Sequence, residues 1–141
     1  MQRTLFILCL FLGLTSCSTD DNGRNRNPYL PDIGFSISLN TNLPQYSNLQ
    51  FPGNAIYVAN AGSRGIFVVN TGTGIRSWEA SDPNHTPSSC STMELNGIEV
   101  TCPCEDTVYN LYTGLAKNDD QQYPLLEYRS TQTGNEILVS N

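Results

Sequence analysis

Apolar and polar residues alternate in short runs along most of this chain. Phe35, Ile37 and Leu39 would share one face of a strand at Gly34–Leu39, and Ile66–Asn70 is an apolar run that suits a buried strand. Further strands are predicted at Ile56–Ala59, Ile75–Ala80, Thr107–Tyr112, Leu125–Arg129 and Ile137–Val139. Turns rich in Gly and Asn separate these runs, and no stretch has a sustained helical period. The pattern predicts an all-β fold, a small antiparallel sandwich or barrel.

A β-hairpin is predicted at Asn96-Gly97, because both residue types tolerate a positive φ. A two-residue turn there sets the register: Leu95 with Ile98, Glu94 with Glu99, Met93 with Val100, Ser91 with Cys102, and Cys90 with Pro103. The apolar residues Met93, Leu95, Ile98 and Val100 would then share one face. Two loops, Asp82–Cys90 and Cys102–Thr107, would meet at the open end of this hairpin.

The first 16 residues predict a bacterial lipoprotein signal peptide. Arg3 supplies a basic start, and Leu5–Leu14 is an apolar segment too short to span a bilayer. Leu14-Thr15-Ser16-Cys17 resembles a lipobox, in which a signal peptidase cleaves before the Cys and lipid is attached to its thiol. We therefore expect Cys17 to anchor the chain to the bacterial cell envelope, at the outer membrane, on the periplasmic or surface face. The alternative is an ordinary secretory signal with a coincidental Cys.

Residues 17–32 are polar and are predicted to be a flexible tether, followed by a β-domain at 33–141. The acidic pair Asp20-Asp21 resembles the surface-export signals of Bacteroidetes lipoproteins. The chain has seven Lys and Arg against thirteen Asp and Glu, and cleavage would also remove Arg3. This acidic charge argues against nucleic acid and anionic lipid as partners. The expected membrane contact is therefore the acylated Cys17, and no protein partner is indicated.

The two loops resemble those of the Rieske [2Fe–2S] family. That family holds its cluster between a C-x-H loop and a C-x-x-H loop, with two Cys on one iron and two His on the other. The second loop here, Cys102-Pro103-Cys104-Glu105-Asp106-Thr107-Val108-Tyr109, is similar to the family's C-P-C-H-G-S followed by an aromatic residue. The resemblance extends from Ile56 to Asn141 and implies a Rieske-type β-fold.

The positions that match the four cluster ligands carry Asp82, Asn84, Cys102 and Glu105. Only Cys102 keeps the family's ligand type, and an amide is a poor ligand for iron. The resemblance therefore implies a Rieske-like domain whose ligand set is largely lost. We expect it to take no cofactor and to serve as a structural or binding module. The alternative is an electron-transfer protein with a [2Fe–2S] cluster on atypical ligands.

Three cysteines, Cys90, Cys102 and Cys104, remain in an oxidising compartment once Cys9 is cleaved off and Cys17 is acylated. One thiol must be left over. Many family members carry an extra Cys in each loop, joined by a disulfide, which implies the pair Cys90–Cys104. The register of the hairpin alone leaves Cys90–Cys102 open. A third possibility is a Cys₃His zinc site made of His85, Cys90, Cys102 and Cys104.

No enzyme constellation is present in the sequence. The only His, His85, lies in a Pro-rich loop, and nothing marks a nucleophile elbow or an oxyanion hole. The carboxylates Glu94 and Glu99 lie on the polar face of the predicted hairpin, where we expect them to be solvated. We therefore predict that the chain is not an enzyme.

Overall fold

The computed structural model describes residues 27–118 and 120–141; the signal peptide, Cys17 and the tether up to residue 26 lie outside these ranges. The elements are a short 3-10 helix at Ser47–Gln50 and nine strands: β1 (Ser36–Asn40), β2 (Ala55–Val58), β3 (Ile66–Asn70), β4 (Ile75–Glu79), β5 (Glu94–Asn96), β6 (Glu99–Thr101), β7 (Val108–Asn110), β8 (Glu127–Thr133) and β9 (Glu136–Ser140). The all-β prediction is confirmed. Within the described ranges, no helix is long and apolar enough to cross a membrane.

The strands form two antiparallel sheets. The larger sheet has the order β1-β9-β8-β4-β3-β2, and the smaller has the order β5-β6-β7. The segment that follows β4 pairs with the segment that leads into β5. Met93 N–H donates to Ala80 O at 2.9 Å, and Asp82 N–H donates to Ser91 O at 2.9 Å. The end of β4 therefore joins the two sheets, and the first loop starts at that junction.

The core has two parts, one on each face of β3. Successive side chains of a strand point to opposite faces, so Ile66 and Val68 enter one part while Phe67 and Val69 enter the other. Both faces are covered, which explains why this strand is a continuous apolar run rather than an alternating one. The part beside the two loops contains Phe67, Val69, Trp78, Ala80, Met93, Val100, Cys102, Tyr109, Leu111 and Leu125.

The β5–β6 hairpin differs in register from the prediction. The observed pairs are Glu94 with Thr101, Leu95 with Val100, and Asn96 with Glu99, so that the turn residues are Gly97 and Ile98. Gly97 has φ +64°, whereas Asn96 is not in the left-handed region. One left-handed residue is enough for this turn. The pairing moves by two residues along β6, so Met93, Leu95 and Val100 keep the face predicted for them, while Ile98 lies in the turn.

The same shift separates the two acidic residues that the predicted register placed opposite each other. Glu94 now faces Thr101, and Glu99 faces Asn96 across β5–β6. The carboxylate of Glu99 forms an ion pair with the ammonium of Lys117, with 2.6 Å between Oε1 and Nζ. The observed register therefore avoids a like-charge pair that would mildly destabilise the hairpin.

Glu79 is a buried carboxylate at the end of β4, with 1% of its surface exposed. Its oxygens accept hydrogen bonds from the backbone N–H groups of Ser63 (2.7 Å), Arg64 (3.1 Å) and Ser81 (3.0 Å) and from the hydroxyl of Tyr128 (2.6 Å). A buried charge is tolerated only when it is hydrogen-bonded or paired. These four donors meet that requirement and tie the 62–65 turn and β8 to β4.

Gly114 has φ +75°, and a Cβ atom at this position would overlap the ring of Trp78. Gly114→Ala should therefore lower the free energy of unfolding by about 2–4 kcal/mol, through the left-handed backbone and overpacking of the ring. Gly97→Ala is the matched control, because Gly97 has φ +64° but open space around the added Cβ. The control should lose about 1 kcal/mol in urea unfolding. Equal losses in the two variants would contradict the assigned packing of Trp78.

Candidate metal centre

The second loop is a tight turn between β6 and β7 that presents Cys104 near its tip. Asp106 N–H donates to Cys102 O at 2.9 Å, and Cys102 N–H donates to Thr107 O at 2.9 Å, so the two ends of the loop are joined. Asp106 has φ +56°, a left-handed conformation that Asp adopts more readily than most residues. The Rieske family usually has Gly at this position, which fits the same backbone requirement.

Cys90 of the first loop and Cys104 of the second form a disulfide, with 2.12 Å between the sulfurs and 5.3 Å between the Cα atoms. This is the pair that the family resemblance implied. Cys102 is buried and has a free thiol, because Val100 and Cys102 point into the core from alternate positions of one extended segment. The disulfide closes a chain segment of about 15 residues and would contribute about 3 kcal/mol in the chain-entropy model.

His85 lies in the first loop and faces Cys102 of the second. Its Nδ1 is 3.0 Å from the carbonyl oxygen of Thr86. Because a carbonyl only accepts hydrogen bonds, this contact assigns the proton of a neutral ring to Nδ1 and leaves the lone pair on Nε2. Nε2 lies 3.3 Å from the sulfur of Cys102. The ligand atoms of His85, Cys102 and Cys104 all lie within 4.8 Å of one another.

Burial raises the pKa of the Cys102 thiol to about 11, an effect that a backbone hydrogen bond from Cys104 lessens and the charge of Asp82 reinforces. A thiol with that pKa is protonated at neutral pH. Its S–H group can then donate to the lone pair on Nε2 of His85. An S–H···N hydrogen bond therefore joins the side chains of Cys102 and His85.

The other positions that match Rieske ligands form a hydrogen-bonded network. The carboxylate of Asp82 accepts from Asn84 N–H at 2.8 Å and from the Tyr109 hydroxyl at 3.2 Å. The Asn84 amide donates to the Tyr109 hydroxyl at 2.9 Å and to the carbonyl of Tyr123 at 2.7 Å, and it accepts from Tyr123 N–H at 2.8 Å. Glu105 is exposed on the second loop.

These residues do not fit the ligand pattern of a Rieske cluster. Asp82, Asn84, Cys102 and Glu105 supply one thiol and no imidazole, where that cluster needs two thiolates and two imidazoles. Asp82 and Asn84 are also already engaged in the network with Tyr109. The donors that do converge, His85, Cys102 and Cys104, are instead three members of the Cys₃His set considered from the sequence.

The role of the Tyr109 hydroxyl was not predicted from the sequence. Tyr109 was noted only as the aromatic residue after the C-P-C segment, yet its hydroxyl links Asp82 and Asn84. Burial raises the pKa of Tyr109 well above its ordinary value, so the hydroxyl stays protonated and donates to Asp82. No local signal in the sequence pairs these residues, because Asp82 and Tyr109 are far apart in the chain.

No protein-family model matches the sequence, and no curated protein matches it. Solved structures do match. The quaternary ammonium Rieske monooxygenase CntA is 13% identical over 75% of this chain and 32% of that chain, with a TM-score of 0.50. A chain from the complex of reduced oxygenase and oxidized ferredoxin in carbazole 1,9a-dioxygenase is 20% identical over 78% of this chain and 94% of that chain, with a TM-score of 0.49.

The ferredoxin of carbazole 1,9a-dioxygenase from Nocardioides aromaticivorans IC177 is 21% identical over 65% of this chain and 90% of that chain, with a TM-score of 0.45. The match to CntA at a TM-score of 0.50 shows that this chain has a Rieske-type fold.

The comparisons overturn the prediction that the chain takes no cofactor. The fold that this chain shares with CntA is that of the Rieske proteins, which hold a [2Fe–2S] cluster, so that prediction is wrong. It rested on the chemistry of four matched positions taken one at a time. It gave too little weight to donors at neighbouring positions, and the fold brings His85, Cys102 and Cys104 together.

Tyr109→Phe tests the network at the base of the two loops. The change removes the donor to Asp82 and the acceptor for Asn84, and it should lower the free energy of unfolding by about 1.5–3 kcal/mol, because a buried charge loses a partner. Tyr123→Phe is the matched control, since its exposed hydroxyl bonds only the side chain of Gln122. We expect that control to stay within about 0.5 kcal/mol of the parent in urea unfolding.

Proposed function

We propose that this chain is a cell-envelope lipoprotein whose Rieske-type domain is a metal-binding module. The Rieske ligand set is largely replaced, and the loop pair instead offers His85, Cys102 and Cys104 to a single metal ion. In this proposal the acylated Cys17 holds the domain at the outer membrane, and the acidic chain has no role in nucleic-acid binding.

The distance of 3.3 Å between Nε2 of His85 and the sulfur of Cys102 carries this proposal. In a tetrahedral zinc site with Zn–N of about 2.0 Å and Zn–S of about 2.3 Å, two such ligand atoms lie about 3.5 Å apart. The pair is therefore spaced for two ligands of one ion. The hydrogen bond from Nδ1 to the carbonyl of Thr86 orients the ring in the way that metal-binding histidines are usually oriented.

The donor types indicate which metals the site would take. Thiolates and an imidazole suit zinc and monovalent copper, whereas magnesium and calcium prefer oxygen ligands. The buried carboxylate of Asp82 adds negative charge beside Cys102, which favours a cation at this position. We therefore expect zinc to bind under reducing conditions in which Cys104 is a thiol.

An electron-transfer protein with an atypical [2Fe–2S] cluster is the second candidate. The observation in its favour is the Rieske-type fold shared with CntA at a TM-score of 0.50. Equimolar iron and acid-labile sulfide with visible absorption in anaerobically purified protein would establish this candidate. One zinc or copper ion per chain without sulfide would establish the mononuclear site.

The full chain, reduced and then titrated with zinc, should bind one ion per molecule, as measured by elemental mass spectrometry after desalting. His85→Ala and Cys102→Ala should each weaken binding by at least about 100-fold, because each removes a direct ligand. Ser89→Ala is the matched control on the same loop, where Ser89 is exposed, and it should bind like the parent. If both ligand variants retain the affinity of the parent, the proposed metal site is excluded.

Cys17→Ala tests the proposed anchor. The variant lacks the thiol that would carry lipid, and it should move from the membrane fraction to the soluble fraction of the envelope. Metabolic labelling with a fatty acid should mark the parent and leave the variant unlabelled. A variant that stays as membrane-bound as the parent would contradict the lipoprotein assignment.

A further inference from the structure

Cys104 belongs to two groups at once. It is joined to Cys90 in the disulfide, and its sulfur is also one of the three atoms that converge with His85 and Cys102. A metal ion binds the thiolate of cysteine, and a sulfur in a disulfide has no such charge to offer. The disulfide and the metal site therefore exclude each other.

We propose that Cys90 is the fourth ligand of this site and that the Cys90–Cys104 disulfide is its closed, metal-free form. The inference rests on the proposed metal-binding function. Reduction opens the site and yields a Cys₃His set made of His85, Cys90, Cys102 and Cys104. Oxidation removes two of the four ligands together, so the oxidation state of one disulfide controls whether metal is bound.

The geometry supports this assignment of Cys90. Its sulfur is bonded to that of Cys104, one of the three converging ligand atoms, and the Cα atoms of the two cysteines are 5.3 Å apart. In a tetrahedral zinc site two thiolate sulfurs lie about 3.8 Å apart. Cleavage of the S–S bond therefore needs the two sulfurs to separate by less than about 2 Å, which small side-chain rotations can supply.

A hydroxyl group is in place beside both sulfurs. The Oγ of Ser88 lies 3.2 Å from the sulfur of Cys90 and 3.6 Å from that of Cys104. The turn that holds it is closed, because Ser88 N–H donates to Ser91 Oγ at 2.7 Å and Ser91 N–H donates to Ser88 O at 3.3 Å. A serine hydroxyl can donate to a thiolate, so Ser88 would support the two ligands that reduction creates.

The chemical step balances with a dithiol as reductant. Two electrons and two protons pass from the dithiol to the Cys90–Cys104 bond, which becomes two thiols while the dithiol becomes a disulfide. Zinc then displaces the thiol protons of Cys90, Cys102 and Cys104 and binds the lone pair on Nε2 of His85. Both sulfurs of the disulfide belong to half-buried residues, so a dithiol in solution can reach the bond.

The test compares the full chain in its oxidised and reduced forms. The reduced chain should bind zinc at least about 100-fold more tightly than the oxidised chain, because oxidation removes two ligands. Fluorescence of Trp78, the only Trp, reports whether each form is folded. Equal affinity in the two forms would overturn the disulfide control while leaving the metal site standing. Absence of binding in both forms would overturn the proposed function itself.

Cys90→Ser separates the role of Cys90 as a ligand from its role in the disulfide. Without Cys90 the thiol of Cys104 is permanently free, so zinc affinity should no longer depend on added oxidant. With cobalt in place of zinc, thiolate-to-cobalt charge-transfer absorption should fall by about a third, from three thiolates to two. Ser89→Ala is the control and should keep the full absorption and the redox dependence.

Two outcomes would contradict the assignment of Cys90. Unchanged cobalt absorption in Cys90→Ser would show that Cys90 is not a ligand. Redox-dependent binding that persists in this variant would show that the disulfide is not the control element. The comparison of reduced and oxidised parent needs no substitution, so it decides the proposal even if Cys90→Ser does not fold. A reduced parent that unfolds and is not restored by zinc would also overturn it.

Discussion

Carboxylates buried at the end of β4 constrain much of this structure. Glu79 and Asp82 are 1% and 0% exposed, and a charge buried without hydrogen-bonding partners would cost several kcal/mol. Glu79 meets this constraint with backbone N–H groups of the 62–65 turn and the hydroxyl of Tyr128. Asp82 meets it with Asn84 N–H and the Tyr109 hydroxyl. The bonds of Glu79 hold the larger sheet together, and the bond between Asp82 and Tyr109 joins the chain after β4 to the smaller sheet.

The same arrangement separates the support of the two loops from their chemistry. Asp82, Asn84 and Tyr109 hold the base of the loops through hydrogen bonds, while His85 and Cys104 lie farther along the loops. A Rieske cluster, in contrast, joins its two loops through the metal ligands themselves. These hydrogen bonds do not involve Cys104, so they are available whether Cys104 is in a disulfide or, as proposed, bound to an ion. This independence is what would allow one cysteine to serve two alternative bonds.

The local pattern of apolar and polar residues was sufficient to predict the strands, but it did not predict the pairing of the β5–β6 hairpin. The run Ile66–Asn70 was predicted as a strand with the bounds that the structure has, because both of its faces are buried. A turn was predicted at Asn96-Gly97, but the predicted register was wrong, because the two turn residues are Gly97 and Ile98. Gly97 is the first turn residue, and Ile98 lies in the turn rather than on the buried face with Met93, Leu95 and Val100. A one-residue choice of this kind depends on the packing of the sheet against the rest of the core.

The sequence by itself determined the β-class, the positions of most strands and, through the C-P-C segment, the resemblance that implied the Cys90–Cys104 bridge. These features follow from patterns within short windows or within one loop. The tertiary structure decided which polar groups meet: Tyr109 with Asp82, and His85 with Cys102. Their partners lie 27 and 17 residues away along the chain. Such contacts exist only because the two sheets meet at the end of β4, and no local preference of these residues encodes that meeting.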